Sequence, residues 1–371
     1  MNNKEKLVLQ DLIMQSQQIN YMDILNAIKP IIIFYAVHKS VGLYTLHRNY
    51  KPKNISKVTL PPELNIEYSD YDIKEIAIKK YGEKLVKFTE TVINNFKEED
   101  LKNFYNNIKN LNVKTKNFTF QNLILRTKIG GSYNLKKNEI SLNGKVSDLS
   151  LYHELFHMAS SRYENGIRYS GFHQSSIKGG IMSLGEGINE GYTELLTKRL
   201  FENDVLTANS YEYLVFIVSK LEEIVGKEKL QSLYLNSNLK GLIEVLKKYM
   251  PIKDVMEFIA NTDFLVNHLD DVKLKMFEKN MINKCLKNVN RFLIICYCKK
   301  LQRIKKAFGL SYNKFLERIA VFISTLTSSI KIGKNEYNVM TKEDYIESIR
   351  KSFENSDITF KSNDINPSKE K

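Results

Sequence analysis

Leu7, Leu12, Ile13 and Ile19 recur at helical spacing between residues 5 and 28, and Pro30 ends the run. The pattern lapses over "RNYKPKNISKVTLPPEL" at 48 to 64, which holds three of the six prolines and marks a soft boundary. Helical periodicity resumes through 73 to 96, and a second helix is expected over 98 to 110. The period then changes. "FTFQNLILRT" at 118 to 127 is strand-like, and "GGSYNLKKNEISLNG" at 130 to 144 predicts a hairpin with its tip near Lys136 and Lys137. Its second arm, Glu139 to Asn143, leads into a helix beginning near Ser147 or Asp148. From about residue 184 nearly every segment is helical, with breaks at "LNSNLKG" and "MPIKD", and the tail "SNDINPSKEK" reads as disordered. The expected class is α+β: a helical segment over 1–50, a small mixed sheet with helices over 63–200, a mainly helical lobe over 201–361 and a tail over 362–371.

Composition narrows this only a little. A chain of 371 residues with 43% hydrophobic and 11% aromatic content can bury the cores of two or three folded units. The net charge of +14 is spread from Lys4 to Lys371, and no nucleic-acid-binding module accompanies it, which argues against nucleic acid as partner. The densest basic stretch, "CYCKKLQRIKKAF" at 296 to 308, follows the apolar run "FLIICY". It reads either as a core helix with one solvated basic face or as a helix for a membrane surface or partner. Cys285, Cys296 and Cys298 form neither a CxxC pair nor an even disulfide framework, so a reducing compartment and core positions are expected. The charged N-terminus does not read as a signal peptide, and "PIIIFYAV" at 30 to 37 is too short to span a bilayer; the expected location is cytoplasmic. Oligomeric state leaves no mark on the sequence.

The chemistry is concentrated in "LYHELFHMAS" at 151 to 160. On a helix His153 and His157 fall one turn apart on the same face, so both imidazoles can reach one metal ion. Ser150, His153, Glu154, His157 and Ser160 form a polar stripe opposite Leu151, Leu155 and Met158, which predicts a dry back and a wet, ligand-bearing front. Zinc held by neutral imidazoles needs a third protein ligand and an open position for a water whose pKa falls to about 7. Glu154 is placed to take that water's proton. A second helix-like stretch, "SLGEGINEGYTELL" at 183 to 196, sets Glu186, Glu190 and Glu194 on one face, with Ser183 and Glu186 fitting a capping box. A ligand histidine commonly gives its other N–H to a carboxylate, and Glu194 is spaced for that task. Gly185, Gly187 and Gly191 cost helix propensity but would let this helix approach the first.

HELFH followed by NEGYTE resembles the gluzincin metallopeptidases, whose thermolysin-like members pair HExxH with NExxxD/E on a following helix. The resemblance implies a zincin-like catalytic lobe, one zinc ion per chain and hydrolysis of peptide bonds in a peptide or protein substrate. By motif position Glu190 becomes the third ligand beside His153 and His157, Glu154 the general base, and Glu194 the carboxylate behind a ligand histidine, His153 before His157. Two departures stand: the segment between the motifs is longer than in compact thermolysin-like enzymes, and the outer acid is Glu where Asp is commoner. The resemblance also makes "NEISLN" at 138 to 143 a substrate-aligning edge strand. For the oxyanion-stabilising group the candidates are His173, Tyr211, Tyr213 and His268, while Tyr192 points away from Glu190's side. Residues 163 to 182, with glycine breaks, are an alternative element here, a flap over the cleft. Against the peptidase stands a catalytically inactive zincin-fold regulatory or scaffold protein that binds partners through its basic surface.

Overall fold

Through α1 (Glu75–Asn95) the buried side chains Leu85, Phe88 and Val92 recur every three to four residues, which fulfils the periodicity expected there. The structure, a computed structural model, describes residues 75–116, 130–143, 147–176, 183–201, 211–268, 276–308, 311–326, 329–332, 335–338 and 340–353. The helix expected at 5–28, the connection at 48–64, the strand at 118–127 and the tail at 362–371 lie outside the described residues.

The helix expected over 98–110 is a 3-10 turn at Glu98–Asp100 followed by α2 (Lys102–Ile108). β1 (Asn112–Lys116), β2 (Gly131–Asn134) and β3 (Glu139–Asn143) form a sheet in the order β1-β3-β2. The β2–β3 hairpin is antiparallel, from Gly131↔Leu142 to Asn134↔Glu139, with its tip at the two lysines. β1 pairs in parallel along β3. Hence the expectation that 138–143 is a substrate-aligning edge is overturned: β3 is hydrogen-bonded on both sides, because β1 occupies the edge that a peptide would need.

α3 (Asp148–Ala159) opens at Ser147, whose hydroxyl accepts the Ser150 N–H at 3.4 Å. Its back is held by an aromatic cluster in which Tyr152 stacks on Phe201 at 4.0 Å and Phe88 meets Phe156 edge-on at 5.0 Å. Such ring pairs contribute roughly 0.5–1.5 kcal/mol each beyond the area they bury. β4 (Ser161–Glu164), β5 (Ile167–Ser170), β6 (His173–Ser176) and β7 (Ser183–Leu184) then make an antiparallel sheet in chain order. The described part of the segment considered as a flap is therefore sheet. Its strands are polar and escape an apolar period-2 search, but Asn165-Gly166, with φ of 51° and 81°, is a hairpin signal the sequence did carry.

The rest is helical, as expected: α4 (Glu186–Phe201), α5 (Glu212–Val225), α6 (Lys227–Leu235), α7 (Leu239–Leu246), α8 (Ile252–His268), α9 (Met276–Phe308), α10 (Tyr312–Ser324) and α11 (Lys342–Phe353). A hairpin, β8 (Ser329–Ile332) with β9 (Asn335–Asn338), interrupts them before α11. α9 buries Leu286, Val289, Leu293 and Cys296, which makes it a core helix with a basic margin. Cys285 and Cys298 are buried too. The chain is thus mixed α+β, mostly helical with small sheets, and among the described residues no helix is long and apolar enough to cross a membrane.

Candidate metal centre

One turn of α3 separates His153 from His157, and their Nε2 atoms come within 3.1 Å of each other. Glu190 reaches across from α4, with Oε2 3.3 Å from His153 Nε2 and Oε1 3.4 Å from His157 Nε2. Three ligand atoms, one from each residue, lie within 4.8 Å of one another. Tetrahedral zinc with N and O ligands at about 2.0–2.1 Å separates ligand atoms by about 3.3 Å, so this donor set fits a single ion of that kind. The fit extends behind the ligands. His153 Nδ1 lies 2.9 Å from Glu194 Oε2; in the neutral ring this pairing puts the proton on Nδ1 and turns the Nε2 lone pair to the cluster, the form a metal ion would select. Lys198 Nζ stands 3.9 Å from the other Glu194 oxygen.

The predicted wet front is not wet. His153, Glu154, His157 and Glu194 are buried, and only Glu190 keeps a partly exposed side chain. Burial alone would lower the His153 pKa, but Glu190 and Glu194 more than reverse this and push it up to about 10. Burial would raise Glu190, yet His157 and His153 hold its carboxyl well below the usual range. Glu154 goes the other way: burial raises it, and the two histidines only partly oppose that. Two nearby acids are thereby driven apart, one firmly ionised and one inclined to hold a proton.

β2 runs against Glu154. A Cβ on Gly131 would stand 2.8 Å from Glu154 Cγ, and the Tyr133 backbone N–H donates to the Glu154 carboxylate. Gly131 was legible as half of the Gly130-Gly131 pair, but only as turn punctuation.

Two expectations about α4 need correction. Gly187 and Gly191 do not serve approach to α3: their added Cβ atoms would meet the Thr262 carbonyl at 2.1 Å and the Leu214 carbonyl at 2.7 Å, on α8 and α5. Gly185 likewise abuts the Phe172 carbonyl, at 2.1 Å. α3 meets α4 instead through the histidine and glutamate side chains and through Tyr152 stacked on Phe201. The capping box also fails, since Ser183 belongs to β7 and its hydroxyl pairs with His173 Nε2 at 2.7 Å. Asp263 of α8 caps the helix, accepting the Gly185 and Gly187 N–H groups at 2.8 Å each. Nothing in the sequence pointed to Asp263.

Among the four oxyanion candidates only Tyr211 is brought to the cluster, its ring stacked on His153 at 5.9 Å and 11°. His173 is engaged with Ser183, Tyr213 donates to Asn290 Oδ1 at 3.2 Å in the core, and His268 Nδ1 pairs with the Phe264 carbonyl at 2.7 Å. Tyr192 faces away, as expected, and donates to Glu222 at 2.8 Å. Asn189 was missed although it begins the NEGYTE motif. Its Oδ1 accepts the Phe172 N–H at 3.1 Å and its amide nitrogen lies 3.3 Å from His157 Nδ1. Gly171, with φ of 53°, is required beside it, because a Cβ there would stand 2.2 Å from Asn189 Oδ1.

Comparison of the chain with protein-family profiles, with curated proteins and with solved structures finds no match.

Proposed function

We propose that the chain is a zinc-dependent metallopeptidase of the gluzincin kind, with a zincin-like catalytic lobe built from the β1–β3 sheet, α3 and α4. The observation that carries the reading is the meeting of His153, His157 and Glu190 beside a buried glutamate that is not one of the three. His153, His157 and Glu190 would hold the ion. Zinc in such a site supplies Lewis acidity, lowering the pKa of a coordinated water to about 7 and polarising a carbonyl.

The remaining work belongs to the chain's own side chains. Glu154, buried beside the three and not one of them, accepts the proton of the attacking water and then delivers it to the leaving amine. The Tyr133 N–H keeps one Glu154 oxygen oriented, and Gly131 leaves room for the side chain. Glu194 fixes the His153 tautomer, while Tyr211 covers that ring. An intact Glu154 favours catalysis over the inactive scaffold, since a purely structural site has no use for a base.

Glu154→Gln tests this. The variant should keep zinc and fold while hydrolysis of a peptide library falls by about 10² to 10⁴ or more. Equal turnover by both proteins would remove Glu154 from the chemistry.

A further inference from the structure

The sheet β4–β7 follows directly from α3 and has one face made almost wholly of polar side chains. Register places Ser161 opposite Ser170, Tyr163 opposite Arg168, Arg168 opposite Ser175, Ser170 opposite His173 and Ser175 opposite Ser183, so these residues share that face. Ser161 and Ser170 are buried at the end nearest α3, and Tyr163 is exposed at the outer end. Arg168, directly across from Tyr163, is partly buried.

Its Nε is buried with no hydrogen-bond partner, and among the described residues no carboxylate pairs with the guanidinium. Neighbouring arginines are different: Arg162 pairs with Glu164, and Arg199 with Glu222. A guanidinium stays charged at all ordinary pH values, so Arg168 cannot relieve its desolvation by losing a proton. An anion arriving from outside would relieve it.

The place of that anion follows from Tyr133. Its backbone N–H donates to Glu154, and its phenol, whose pKa burial raises, feels the opposing charge of Arg168. The guanidinium is thus within electrostatic reach of β2, the strand that runs against Glu154. The cluster otherwise presents three acids, Glu154, Glu190 and Glu194, which repel a negatively charged ligand unless a local cation receives it.

We propose that Arg168 binds a carboxylate of the substrate, either an acidic side chain or a free C-terminus close to the bond cleaved. This rests on the peptidase reading for the identity of the ligand as a peptide. A guanidinium–carboxylate pair in a partly buried site makes charge-assisted bonds whose loss lowers affinity by about 10- to 100-fold.

Binding rather than turnover provides the test. Zinc-loaded Glu154→Gln protein is titrated with three fluorescein-labelled hexapeptides: one with internal glutamates and an amidated end, one neutral with a free C-terminus, and one neutral and amidated. At least one carboxylate-bearing peptide should bind about 10- to 100-fold more tightly than the neutral amide, and which one does so identifies the source of the carboxylate. Adding Arg168→Gln should abolish the advantage and leave the neutral amide unchanged, while Arg168→Lys should retain part of it. Equal binding of all three peptides, or an advantage that survives Arg168→Gln, overturns the proposal. If Arg168→Gln does not fold, Arg168→Lys carries the comparison, and an undiminished advantage in that variant overturns the proposal. Hydrolysis of the same peptides by unaltered protein is read separately. Arg168-dependent binding without cleavage would discard the peptidase and keep the carboxylate site, and cleavage indifferent to Arg168 would do the reverse.

Discussion

α3 and α4 contribute to the same cluster by opposite means. α3 carries its own instructions: a Ser147 cap, a one-turn histidine spacing and a back of Leu151, Leu155 and Met158 that packs into the core. α4 is placed by others. Asp263 caps it, Thr262 and Leu214 fit against glycines where a side chain would collide, and Phe172 meets Gly185. The comparison teaches that the cluster's residues are chosen by local spacing, whereas the seat of α4 depends on residues remote in the chain.

The largest effect that could break this comparison is loss of the metal. His157→Ala on α3 and Glu190→Ala on α4 should each remove most of about one zinc per chain, as read by elemental analysis. Retention by the Glu190 variant alone would leave α4 outside the site.

Acidity comes next. His153 has a folded pKa raised to about 10 from 6.5, so its proton stabilises the fold fully below pH 6.5 and ceases to do so as pH rises through about 10. Chelator-treated protein should therefore melt at progressively lower temperature from pH 7 to 10, and His153→Ala should flatten that trend. A parallel decline in the variant would assign the loss to another group.

Glu194→Ala should weaken zinc binding by about 10 to 100-fold, the usual cost of removing the carboxylate behind a ligand histidine. Glu186→Ala, two turns earlier on α4, should change affinity little. A chelator competition in which Glu186 proves the damaging position would rotate α4 from the observed arrangement.

The smallest effect separates glycines by context. Gly82 in α1 has nothing within 4 Å of an added Cβ, so Gly82→Ala should raise stability by about 0.5–1 kcal/mol, whereas Gly187→Ala should lower it. Thermal melts that move both in the same direction would deny α4 its tight seat.

Legibility divides along the same line. His153, Glu154 and His157 could be picked from spacing, Glu190 was chosen over Glu186 by the resemblance of NEGYTE, Glu194 followed from both, and the structure brings all five together. The hairpin, the start of α3 and the breaks before α7 and α8 were also readable, because turn and cap chemistry is local. The β4–β7 sheet was missed, since "SRYENGIRYSGFHQSS" has no apolar alternation, and the edge assignment failed because the parallel pairing of β1 is a long-range choice. Asp263 was invisible for the same reason: its partners lie 76 and 78 positions away.

That separation has a consequence for the order in which the molecule can be made. A ribosome releases His153 and Glu190 well before it reaches Asp263, and until α8 is complete the Gly185 and Gly187 amides lack their acceptor. The first turn of α4 then lacks its cap, although Phe201 can already stack on Tyr152 and Asn189 can already hold the Phe172 N–H. Completion of α8 thereby becomes the last step in seating the start of α4.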